Sequence, residues 1–146
     1  MGYRIPCVRV TLVREGSIPS DTKQVRCAED AYQILSSYLD GVDREHVVVM
    51  FLNTKHYVLG INTVSVGSLD ASVVHPREVL KPAILANASA ILIAHNHPSG
   101  DPEPSPEDIS VTKILCEACK IIGIDLLDHL VLGEGRFISI RAQGYL

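Results

Sequence analysis

The chain has 146 residues, 47% of them hydrophobic and 21% charged, a length and composition that suit one globular domain and exclude a disordered chain. Its longest apolar runs, such as Val47 to Leu52, fall far short of the roughly 20 residues that cross a bilayer, and no signal-peptide pattern opens it, so a soluble, cytoplasmic protein is expected. A formal charge of −4 argues against a broad phosphate-binding surface.

In chain order, Cys7 to Glu15 alternates apolar and polar residues around Val8, Val10 and Leu12 and predicts a half-buried strand. Ala28 to Leu39 places Ala31, Ile34, Leu35 and Leu39 at helical spacing and stops near Asp40-Gly41. Val47 to Leu52 is continuous enough for a central strand, and Tyr57 to Val66 follows it through the polar turn Asn53 to Lys55, predicting a hairpin that ends at Gly67 and Ser68. His75-Pro76 opens a second helix to about Asn87, with Pro82 a candidate kink. Ala90 to Ala94 predicts a short buried strand, and the Pro-rich stretch after it a rigid loop. Ser105 and Pro106 stand as N-cap and first residue of a third helix that runs to Ile122 and closes on Gly123. Asp125 to Leu132 and Arg136 to Ile140 complete a last hairpin. Strands interspersed with helices predict a three-layer α/β/α domain with a mixed sheet.

Four cysteines in a chain of this size do not suggest a disulfide scaffold. Cys116 and Cys119 form a CxxC, but helical periodicity puts Ile114, Leu115, Ala118, Cys119 and Ile122 on one face, so Cys119 is expected in the core and Cys116 at its edge.

The chemistry concentrates after the fourth predicted strand. His95 and His97 are two apart, which on an extended backbone turns both imidazoles to one face. After ten intervening residues Asp108, at the start of a helix, can be presented back to them. Two imidazoles and a carboxylate give three ligands and leave a fourth position for water, the open-site logic of catalytic zinc. Asp101 is the alternative carboxylate. Taken singly, Asp108 could complement the helix dipole and Ser105 merely cap.

The segment His95-Asn-His-Pro-Ser-Gly-Asp-Pro-Glu-Pro-Ser-Pro-Glu-Asp108 resembles the HxHP…SxxD signature of the JAB/MPN (JAMM) metalloproteins, in detail its RadC-like branch. The resemblance runs from about Glu45 to Leu146, through His75 to Glu78 and Leu126 to His129. Residues 1–44, the predicted N-terminal strand and helix, carry no match, and neither does anything resembling the helix-hairpin-helix segment of longer RadC proteins, so residues 1–146 are expected to be one domain by itself. The resemblance implies a cytidine-deaminase-like fold, Zn²⁺ on His95, His97 and Asp108, a Glu acting on the water and Ser105 supporting an oxyanion. Glu45, just before the central strand, is the expected Glu, with Glu78 the competitor. Asp128 and His129 are either a pair orienting a ligand imidazole or a buried polar pair satisfied locally. Arg77 either holds a substrate carboxylate or phosphate or is simply solvated.

Two functions remain open on this reading. One is a metal-dependent peptidase or isopeptidase acting on a peptide or protein substrate, possible as a homo-oligomer; the other is a DNA-repair-associated accessory protein, which the acidic balance disfavours. A non-catalytic interaction module sits poorly with a full ligand set. A deaminase would need an HxE and a Pro-Cys-x-x-Cys, neither of which is present.

Overall fold

A computed structural model describes residues 2–67 and 74–146. Among the described residues eight elements follow one another: α1 (Ala28–Tyr38), β1 (His46–Leu52), β2 (Val58–Val66), α2 (Pro76–Leu85), β3 (Ala90–Asn96), α3 (Pro106–Ile122), β4 (Asp125–Leu132) and β5 (Phe137–Ser139). The strands form one sheet in the order β2-β1-β3-β4-β5. Only β3 and β4 run parallel, joined by α3; the other neighbours are antiparallel. The mixed sheet is the expected one.

Alternation of side chains across β1 sorts the core into two layers. Val47, Val49 and Phe51 face α2 and α3, packing with Val79, Leu80, Ala83, Val111, Leu115 and Cys119. Val48, Met50 and Leu52 face α1, where Ala31, Ile34, Leu35 and Leu39 bury the predicted stripe. Both faces of β1 and β3 are covered, which explains why their sequences are continuously apolar.

Local signals decide the ends of the elements. Gly123 takes φ 84° at the C-cap of α3 and returns its N–H to Cys119. Gly67, at φ 128°, marks the end of β2; Ser68, the other residue of the expected break, lies outside the described residues. Helix α2 continues through Pro82 to Leu85, because a ten-residue helix loses only the one hydrogen bond that Pro82 would have given Glu78.

Two expectations are corrected. Cys7 to Glu15 is not a strand: residues 2–20 are exposed throughout and have no regular structure, because the alternating pattern finds no partner in this chain. On α3 the buried face is Val111, Thr112, Leu115 and Cys119, whereas Ile114 and Ile122 are about half exposed. Cys119 is core as expected, and burial pushes its thiol up to about 11, with Cys116 adding to the shift. Among the described residues no helix is long and apolar enough to cross a membrane.

Candidate metal centre

Strand β3 carries His95 and the N-terminus of α3 carries Asp108. The antiparallel register pairs Val47 with His95, and continuing the same register two residues beyond that pair brings Glu45 opposite His97. All three side chains then share the face that α3 covers. The sheet thereby reaches 50 residues back along the chain for its second carboxylate.

Glu45, His95, His97 and Asp108 offer ligand atoms that lie within 4.8 Å of one another, and together they can hold a metal ion. Nε2 of His95 and Nε2 of His97 are 3.0 Å apart, and each is 3.2 Å from Oδ2 of Asp108. Bonds of 2.0 to 2.2 Å around a tetrahedral ion would put its ligands about 3.3 Å apart, so these three donors fit one. Glu45 is set back, its Oε1 3.9 Å from His95 Nε2. His95 and Asp108 are buried, Glu45 and His97 partly so.

Proton bookkeeping points the same way. Nδ1 of His97 lies 2.8 Å from the Asp101 carbonyl, which can only accept, so Nδ1 carries a proton, and in a ring with only that proton Nε2 is a bare lone pair. That nitrogen faces a second imidazole nitrogen and a carboxylate oxygen, three acceptors that repel one another unless a proton or a metal cation lies among them. Asp108 is held ionised for the role. Burial alone would raise its pKa, but the hydrogen bond and charge of His95, the Ser105 N–H and the charge of His97 outweigh it and hold the carboxyl far below the usual range.

The cap of α3 and the candidate ligand are one device. Ser105 Oγ accepts the Asp108 N–H at 3.1 Å while Asp108 Oδ2 accepts the Ser105 N–H at 2.8 Å, a capping box that orients the same oxygen that meets both imidazoles. Ser105 thus spends a lone pair on the helix and keeps its hydroxyl proton to donate.

The remaining candidates are placed as follows. Asp101 serves through its carbonyl, and its carboxylate takes the Glu103 N–H instead of turning to the imidazoles. Glu78 lies away from the cluster, half exposed beside Arg77 at 3.7 Å and Lys81 at 3.4 Å. His75 caps α2 through Nδ1. Asp128 accepts from the His129 N–H, Ser139 Oγ and the Arg141 N–H, tying β4 to the C-terminal turn. The His129 ring, fully buried, meets His95: its Nε2 is 2.7 Å from His95 Nδ1. Burial holds the His129 imidazole well below its ordinary range, and any proton shared by His95 and His97 adds to the effect, so it is neutral.

Sequence reasoning missed Asn96. Its Oδ1 accepts the His46 N–H at 2.7 Å and its Nδ2 donates to the Arg44 carbonyl at 3.0 Å, so it grips the backbone on both sides of Glu45. The pairing of two strands 50 residues apart creates this role, and local sequence carries no sign of it.

A mixed sheet with two histidines at the end of its central strand and an aspartate on the following helix defines a metal-site domain of the JAB type. The RadC-like JAB domain model matches residues 25–145, and the chain belongs to that family. It is 49% identical over 132 residues to a UPF0758 protein of Shouchella clausii, covering 88% of this chain and 57% of that one. A UPF0758 protein of Desulforamulus reducens is 47% identical over 134 residues, 91% of this chain and 59% of the relative. A third, of Geobacillus thermodenitrificans, is 50% identical over 127 residues, 87% and 56%. The chain thus spans a little over half the length of these relatives.

Proposed function

We propose that this domain is a zinc-dependent hydrolase of amide bonds, acting on an extended peptide or an isopeptide-linked tail. The observation that carries the reading is the offset within the cluster: three donor atoms lie 3.0 to 3.2 Å apart, while Glu45 stands 3.9 Å from His95 Nε2. The first three suit ligands, and the fourth suits a base placed to reach a water beside them. Two imidazoles and one carboxylate suit zinc by donor chemistry. Bound there, zinc supplies Lewis acidity, making a water acidic near neutral pH and polarising a carbonyl.

The chain's own groups divide the remaining work. Glu45 takes the water proton and returns it to the leaving amine. Ser105, its lone pair engaged by the Asp108 N–H, turns its hydroxyl proton toward the carbonyl oxygen as charge builds there. Of the four cluster residues His97 alone lines a cleft of about 450 Å³ that opens on the α1 side, with walls that include Leu39, Asp40, Asn96, Pro98, Gly133 and Glu134. Its charged walls, Asp40 and Glu134, are acidic, which suits a polypeptide and repels a phosphate backbone.

Screening the zinc-loaded domain against peptide and isopeptide libraries, beside single-stranded and duplex DNA at physiological salt, tests the proposal. Zinc-dependent cleavage should fall by at least ~100-fold in Glu45→Gln, with zinc content unchanged, because the amide fills the same space and cannot take the proton. His95→Ala/His97→Ala should lose the zinc itself. Tight DNA binding at that salt with no peptide cleaved would overturn the hydrolase reading and favour the DNA-associated one.

A further inference from the structure

Behind the metal centre runs a buried chain of hydrogen bonds whose direction can be worked out atom by atom. Thr112 lies one turn after Asp108 on α3, and its Oγ1 is 2.6 Å from the Asp108 main-chain carbonyl. A carbonyl only accepts, so the hydroxyl spends its single proton there. The same Oγ1 is 2.6 Å from Nδ1 of His129 and has only lone pairs left to offer, so Nδ1 of His129 carries a proton. A neutral imidazole has one N–H, which leaves Nε2 of His129 bare. That nitrogen, 2.7 Å from Nδ1 of His95, accepts, and His95 must therefore hold its proton on Nδ1. The remaining nitrogen of His95, Nε2, is the one that faces His97 and Asp108. Thr112, His95 and His129 are each fully buried, so no water competes for these bonds.

Building on the metal reading above, we infer that Thr112 and His129 are positioning residues: they lock His95 in its Nδ1–H tautomer and keep its Nε2 lone pair turned to the metal position. The chain starts at the main-chain carbonyl of Asp108 and ends beside that residue's carboxylate, so a single stretch of α3 sets both a ligand and the tautomer of its neighbour. His97 has its tautomer set by a carbonyl from its own loop, whereas His95, with no carbonyl in reach of Nδ1 among its hydrogen bonds, has it set through two side chains. Partners of this kind hold a metal-bound imidazole in orientation and raise its basicity.

The test compares Thr112→Val, which keeps the shape and removes the hydroxyl, with Thr112→Ser, which restores it. Zinc affinity, read by chelator competition at neutral pH, should fall about 10- to 100-fold in Thr112→Val and stay within about 3-fold of the parent in Thr112→Ser. Imidazole ¹⁵N spectra of the metal-free parent should show His129 as the Nδ1–H tautomer, and Thr112→Val should mix its tautomers. Unchanged zinc affinity in Thr112→Val, equal weakening in Val and Ser, or an Nε2–H tautomer at His129 in the parent would each overturn the inference. The parent spectrum decides the matter even if Thr112→Val does not fold. Neither readout uses peptide turnover, so the absence of any cleavable peptide would count against the hydrolase and leave the positioning roles standing.

Discussion

Asn96 and His129 flank the metal cluster and make opposite kinds of prediction. Asn96 holds the main chain around the expected base, and its described side-chain hydrogen bonds go to main-chain groups and not to the ligand side chains. Asn96→Ala should leave zinc affinity unchanged while slowing hydrolysis by about 10- to 100-fold, as a base displaced by an ångström would; equal zinc loss would contradict it. His129 bears on acid stability. Its folded pKa is lowered, so the unfolded chain takes up the proton first, and its contribution is complete above the unfolded value of about 6.5 and is lost as pH falls below it. Urea unfolding of the metal-free chain should therefore lose up to about 1.4 kcal/mol per pH unit on that account between pH 6.5 and 5, and the slope should shrink in His129→Gln. The sequence carries no sign of the Asn96 role, whereas it leaves His129 open to two readings, a partner for a ligand imidazole or a buried polar residue. The HxH spacing does announce a shared face, since period 2 is a property of any strand, but Glu45, Asn96 and Thr112 owe their places to a register and a helix docking that exist only in the folded sheet.

Loop 97–105 and helix α3 act as one mount. The His97 N–H bonds to the Leu132 carbonyl and the Glu134 N–H to the Gly100 carbonyl, pressing the loop onto the β4–β5 turn. Gly133 is what permits the approach. A Cβ there would collide with the Gly100 carbonyl oxygen and lie 2.8 Å from Pro102 Cδ, an overlap backbone atoms cannot relieve by changing rotamer. Gly133→Ala should cost about 1 to 3 kcal/mol and weaken zinc binding, measured by calorimetry and chelator competition; a neutral result would mean that the loop does not brace His97. The elements bearing this mount were legible because their signals are local: Ser105-Pro106 for the start of α3, Gly123 for its end, an unbroken apolar run for β1. The expected N-terminal strand fails to form for the complementary reason. Alternation says that a segment could lie half-buried on a sheet, and says nothing of whether a sheet edge is there to receive it.

Residues 2–20 touch the folded body so little that, among the described hydrogen bonds, theirs stay within a few residues of one another. Deleting them should leave the melting temperature and the zinc affinity of the domain unchanged, a result differential scanning calorimetry can check; a fall of several degrees would show that the segment packs somewhere on the body. The body itself joins a hairpin, β1 with β2, to a parallel unit, β3-α3-β4. His95, His97 and Asp108 all belong to the second of these, within 14 residues of sequence, while Glu45 comes from the first. Contacts between residues close in sequence close small loops and form fast; those across 50 residues close large loops and form late. The ligands can therefore gather while the hairpin is still undocked, and the base arrives with the final closure of β1 onto β3. If the proposed function holds, a newly made chain would capture its ion before it could use it, and hydrolysis would be the last property folding confers.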